Sequence, residues 1–154
     1  MEEEIANYRS FPFSYYNNNE WFSLFTINND LYYSIISKKV DIVGSYQDEQ
    51  FRVERLNSNE TEVKVWTLNS KGNKKDKIYD RVFRHDETRE IRLYGHKGKD
   101  EFDVESEVNK GMKVRIIGGP GKDDIKDKSQ VRGLSRRTLI YDTPKKNDID
   151  FGTE

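Results

Sequence analysis

The sequence predicts a mainly β protein: short stacked β coils of the β-roll or β-solenoid kind, preceded by meander strands and an N-terminal helical segment. Three observations predict it. Of 154 residues, 33% are hydrophobic and 36% charged, against ~45–50% and ~25% in an ordinary domain. Within that thin apolar set Val and Ile number 22, Leu seven and Ala one, at Ala6. β-Branched residues suit a pleated, half-buried surface, whereas Ala and Leu favour helices. Second, the apolar period is two over much of the chain. Third, a segment near the C-terminus is duplicated. An antiparallel β-sandwich, with the same Gly-rich loops as hairpin turns, is the alternative.

Residues 1–20 read as a polar arm, with Asn17-Asn18-Asn19 as turn chemistry. Residues 21–154 read as one β-rich domain. From Trp21 to Val40 the apolar positions Trp21, Leu24, Phe25, Leu31, Tyr32, Ile35 and Ile36 recur at three- and four-residue steps. That spacing predicts an amphipathic helix, interrupted at Asn28-Asn29-Asp30, where Asp30 can cap a second short helix. Val40–Val43 is a short strand ended by Gly44-Ser45. Phe51–Leu56 and Val63–Trp66 alternate apolar and polar residues around Asn57-Ser58-Asn59-Glu60 and predict a hairpin. A Lys-rich loop (Lys71, Lys74, Lys75, Lys77) then leads to a strand at 78–83.

The duplication spans 91–102 and 114–125. Ile91-Arg92-Leu93-Tyr94-Gly95-His96-Lys97-Gly98-Lys99-Asp100-Glu101-Phe102 aligns with Val114-Arg115-Ile116-Ile117-Gly118-Gly119-Pro120-Gly121-Lys122-Asp123-Asp124-Ile125 without a gap. A worn third copy follows at Ile140-Tyr141-Asp142 and Asn147-Asp148-Ile149. A period of 20–50 residues marks stacked units, each burying its neighbour's face. Gly95, Gly98, Gly118, Gly119 and Gly121 are the structural turn residues, Gly permitting positive φ. Phe102 and Ile125 are expected to point into the core, and Arg92 and Arg115 to stack on one outer face.

Gly-Gly-x-Gly-x-Asp-x-apolar is the pattern of calcium-binding β-rolls, and 118–125 matches it in full. The carboxylates available to calcium are Asp100, Asp103, Asp123, Asp124 and Asp127. Lys99 and Lys122, each next to a loop aspartate, oppose that use, as does the ~6–8 oxygens calcium needs. Turn chemistry alone accounts for the same residues, so the expected cofactor is none, with calcium as the alternative.

The absence of Cys excludes disulfides, thiolate metal sites and a cysteine nucleophile. Two histidines, His85 and His96, exclude a three-histidine metal centre. No apolar run is long enough to span a bilayer as a helix, and Met1-Glu2-Glu3-Glu4 predicts no secretory signal. Net charge is −1, yet residues 71–99 hold ten bases and five acids. Lys71–Lys77, Arg81, Arg84, Arg89 and Arg92, with Tyr79 and Phe83 as stacking partners, define an alternative function: an anionic surface or nucleic acid. As a further alternative, His85-Asp86-Glu87 with Ser135, or Asp123-Asp124-Asp127, defines an enzyme.

Val40–Ser45 with Glu49–Arg55, then Arg81-Val82-Phe83, Glu87–Gly95 and Ile116–Asp123, resemble a segment of certain large Gram-negative envelope proteins. In that family a calcineurin-like metallophosphoesterase domain precedes the segment and an outer-membrane β-barrel of the surface-antigen type follows it. The resemblance spans residues 30–142 and is sharpest at Thr88-Arg89-Glu90-Ile91-Arg92-Leu93-Tyr94-Gly95. It implies a non-catalytic structural or interaction module of the cell envelope, whose partners are neighbouring envelope domains or a barrel. The phosphoesterase motifs have no counterpart in this sequence, and the family loop more often reads Gly-Gly-Asp-Asp, from which Lys99 and Lys122 depart.

Overall fold

The computed structural model describes residues 38–132, 137–142 and 147–151. The chain divides into two compact units, Met1–Ile35 and Ile36–Glu154, and every described residue belongs to the second. The expected arm at 1–20, and the expected helix as far as residue 37, lie outside the described residues. Its last two expected positions, Lys39 and Val40, are strand.

Ten strands make up the described part: β1 (Lys39–Val43), β2 (Glu49–Arg55), β3 (Glu60–Leu68), β4 (Lys74–Arg84), β5 (Glu90–Tyr94), β6 (Glu101–Val108), β7 (Lys113–Ile117), β8 (Asp124–Val131), β9 (Thr138–Tyr141) and β10 (Asp148–Asp150). They form a four-stranded sheet, β1-β5-β7-β9, and a six-stranded sheet, β10-β8-β6-β2-β3-β4. Side chains of both sheets share one hydrophobic core, so the arrangement is sandwich-like. The expected antiparallel pairing is confined to the β2-β3-β4 meander. All other strand pairs are parallel.

Register follows a simple rule. Ile91 lies beside Val114, 23 residues on, and Val114 beside Thr138, 24 residues on. In the larger sheet Phe102 lies beside Ile125 and Ile125 beside Ile149 at the same two spacings. Between β1 and β5 the spacing is longer, Val40 pairing with Ile91; the excess is taken up by the β3–β4 hairpin. Because side chains alternate along a strand, each register match stacks like on like. Ile42, Leu93, Ile116 and Ile140 form one inward column of the smaller sheet. Tyr79, Val65, Phe51, Phe102, Ile125 and Ile149 form the facing column of the larger. Phe51 and Phe102 stack with ring centroids 4.8 Å apart. Each fully buried Val, Leu, Ile or Phe contributes ~1.5–3 kcal/mol.

One element differs from expectation and one residue breaks the apolar alternation, each for a physical reason. Lys74, Lys75 and Lys77 belong to β4, not to a loop; β4 is the edge of its sheet, where charge is tolerated and blocks further pairing. Arg55 ends the inward alternation Phe51-Val53-Arg55 and is only 2% exposed. Its guanidinium donates to Met112 O (3.2 Å), Ser106 Oγ (3.3 Å) and Thr138 Oγ1 (3.1 Å), which satisfies the buried cation. Among the described residues no helix is long and apolar enough to cross a membrane.

The turn glycines do two separate jobs. Gly98 and Gly119 adopt φ +129° and +104°. Gly95, Gly118 and Gly121 have no positive φ, contrary to expectation. At Gly95 the reason is space: an added Cβ would stand 2.5 Å from Asp100 Oδ2, 2.6 Å from the Gly118 carbonyl oxygen and 3.1 Å from Phe102 Cζ. Gly95→Ala is expected to cost ~1–3 kcal/mol, read as a lower denaturant midpoint at unchanged slope. A midpoint equal to that of the parent chain would contradict this packing.

Candidate functional site

Where β1, β5 and β7 of the smaller sheet hand the chain to the larger, a glycine opens the corner and an acid closes it five residues later. Gly44 is followed by Glu49, Gly95 by Asp100 and Gly118 by Asp123. The parallel register continues through these corners and stacks the three acids in one column with Asn147. Glu49 N–H donates to Asp100 Oδ1 (3.0 Å), Asp100 N–H to Asp123 Oδ1 (3.0 Å) and Asp123 N–H to Asn147 Oδ1 (2.9 Å). At the near end Glu49 turns back to accept from Ser45 N–H at 3.0 and 2.9 Å and from Ser45 Oγ at 2.6 Å.

Burial along the column is nearly complete: Glu49 and Asp100 are 0% exposed and Asp123 1%. One oxygen of each aspartate is spent on a main-chain N–H. The other, Oδ2, has no hydrogen-bond partner in either Asp100 or Asp123. Each instead lies against a glycine, Asp100 Oδ2 on Gly95 and Asp123 Oδ2 on Gly118. Burial pushes the Asp100 carboxyl up to about 8; the Glu49 N–H opposes this, and the charges of Asp123, Glu49 and Asp48 add to it. Burial also raises Asp123, against the Asp100 N–H and with the Asp142 charge. Desolvation is the leading cause in both, as expected for carboxylates removed from water.

The other expected calcium ligands are elsewhere. Asp103 lies on the outer face of the larger sheet and accepts from Gln50 Nε2 at 2.7 Å. Asp124 shares that face and pairs with Lys126 at 2.6 Å. Asp127 is buried inside and accepts from the N–H and Oγ of Ser129. One ion cannot collect all five carboxylates, because strand alternation sends neighbours to opposite faces. Among the described residues no group of three or more histidine, aspartate or glutamate side chains is arranged to hold a metal ion.

The acid–base set does not assemble either. His85 Nε2 bonds Thr61 Oγ1 at 3.1 Å, whereas Asp86 pairs with Arg84 at 2.8 Å; Ser135 lies outside the described residues. Several cations of the basic region have local partners. Lys74 sits 3.8 Å from the Trp66 ring centroid, Lys77 pairs with Asp80, and Arg81 covers the buried Phe83 at 4.7 Å. Arg92 and Arg115 share the outer face of the smaller sheet, and Glu90 Oε1 accepts from both, at 2.9 and 3.0 Å. Those hydrogen bonds, Arg92 first, hold the Glu90 carboxyl below the usual carboxylate range against the cost of its burial.

Sequence reasoning placed Asp100 and Asp123 together but missed Glu49. The signal was present as a third glycine with an acid five residues on. No protein-family model matches the chain, and comparison with curated proteins and with solved structures finds no significant similarity.

A carboxyl whose folded pKa stands above its unfolded ~3.9 holds an extra proton only when folded. Its contribution is therefore complete below about pH 4, declines as pH rises, and is lost above the folded value of about 8. In buffer free of metal cations, the parent chain is expected to lose stability relative to Asp100→Asn between pH 4 and 8. Urea midpoints measured across that range check it; parallel pH profiles would contradict a buried proton at Asp100.

Proposed function

We propose that the chain is a non-catalytic structural module whose parallel, 23- to 24-residue register makes it a short β-solenoid. One observation carries the reading. The spacing between paired strands is the same in both sheets at each step, so the chain advances by one coil at a time. Each coil needs only a narrow apolar stripe, which accounts for a core built on a chain that is 33% hydrophobic. Such an object is a spacer or docking surface rather than a cleft for chemistry. Its two long faces are laced with ion pairs, Arg52 with Glu54 and Glu105 on one and Glu90 with both arginines on the other.

The resemblance to envelope proteins supports a setting in the cell envelope, beside a barrel or neighbouring envelope domains. Binding of an anionic surface through 71–92 is the less favoured reading, because acids close by in sequence pair with several of those cations. An enzyme is less favoured still, since the histidine and carboxylate candidates within the described residues engage separate partners.

Excising one coil tests the solenoid. Deleting residues 95–117 joins Tyr94 to Gly118 and preserves every register by one step. The shortened chain is expected to fold cooperatively with a β spectrum and a denaturant slope reduced in proportion to its surface. A non-cooperative or unfolded product would show that the coils are not interchangeable units.

A further inference from the structure

We propose that the acidic corner column is a binding site for a hard cation, calcium in the first instance, with Asp100 and Asp123 as its carboxylate ligands. The inference deepens the scaffold reading and stands on the geometry of the two buried aspartates. Asp100 Oδ2 and Asp123 Oδ2 are the oxygens that the main-chain ladder leaves over, and both belong to side chains at most 1% exposed. A buried carboxylate oxygen without a partner is costly, and the site offers two of them, one coil apart.

Main-chain oxygens add what side chains alone do not complete. The point that a Cβ on Gly95 would take is 2.5 Å from Asp100 Oδ2 and 2.6 Å from Gly118 O. Those two oxygens therefore lie within the span of two calcium–oxygen bonds at the long end of the ~2.3–2.6 Å range. The next coil repeats the arrangement, with Asp123 Oδ2 and the Asp142 carboxylate against Gly118. Carboxylate and carbonyl oxygens with water are the ligand set hard cations take.

The surrounding charge favours a cation as well. The charges acting on Asp100 are those of Asp123, Glu49 and Asp48, and the charge acting on Asp123 is that of Asp142, all of them acids. Lys99 and Lys122, whose ammonium groups argued against calcium in the sequence, are both exposed while the neighbouring aspartates are buried. Each ammonium thus stands in solvent while the carboxyl beside it in sequence is enclosed. Carboxylates ligate a metal only when deprotonated, so cation binding rises with pH and releases protons.

The test uses the full chain and four salts at matched ionic strength: calcium, magnesium, sodium and, as the inert control, tetramethylammonium chloride. Millimolar calcium is expected to raise Tm by ~5 °C or more at pH 8.5 and by less at pH 6, with protons released on binding. The variant Asp123→Asn should lose the shift yet fold, because Asn147 already accepts a main-chain N–H at the equivalent point of the next coil. Calcium-independent melting at both pH values would overturn the proposal and leave protons as the neutralising charge. An equal shift in Asp123→Asn would also overturn it, by placing the ion elsewhere. Neither outcome touches the scaffold reading, which the coil deletion tests separately.

Discussion

Each corner of the larger sheet gives one main-chain N–H to the carboxylate or amide of the coil that follows, and the register of the whole protein hangs on that exchange. Glu49 gives to Asp100, Asp100 to Asp123, and Asp123 to Asn147. A slip of one residue would turn the inward columns of Ile42, Leu93 and Ile116 to solvent. The corner acids oppose such a slip because they fit only where a glycine stands five residues earlier. Directional bonds at the corner thus select the alignment that the apolar columns then stabilise. Burying three acids in a column is costly, and main-chain donors and glycine space offset part of that cost.

The thin core and the acid column belong to one design. A chain with 36% charged residues cannot surround a bulky interior, but two sheets with narrow inward stripes do not ask it to. Charge appears where it does least harm: on outer faces, where acids and bases alternate along neighbouring strands, and on the edge strand β4, where lysines discourage pairing with another chain. Arg55 marks the other end of the strands, where Ser106, Ser129 and Thr138 replace apolar residues and the interior becomes polar. The core is therefore apolar only over its middle.

How much of this was legible before folding depended on whether the signal was local or repeated. The β bias and the alternation at Phe51–Leu56 and Val63–Trp66 led directly to the β2–β3 hairpin. The duplication brought Asp100 and Asp123 to equivalent points because it has no gap. Glu49 was missed because the β3–β4 hairpin interrupts the spacing and because a longer acid with Ser45 replaces the aspartate. Lysines at 74–77 read as a loop because propensity does not know which strand will be an edge. Arg55 was not singled out, because a charge at an inward position is explained only by its partners Met112, Ser106 and Thr138, which lie far off in sequence. Asp103, Asp124 and Asp127 were grouped with the corner acids by proximity in sequence, which a two-residue period scatters over both faces.

Interstrand proton–proton contacts by nuclear magnetic resonance test the central claim most directly. In a parallel pair the difference between contacting residue numbers is constant; in an antiparallel pair the sum is constant. Between β5 and β7 the account predicts contacts that keep a difference of 23 from Glu90 with Lys113 to Tyr94 with Ile117. Contacts between the same two strands that instead keep a constant sum would contradict it, and with it the stacked corners on which the acid column depends.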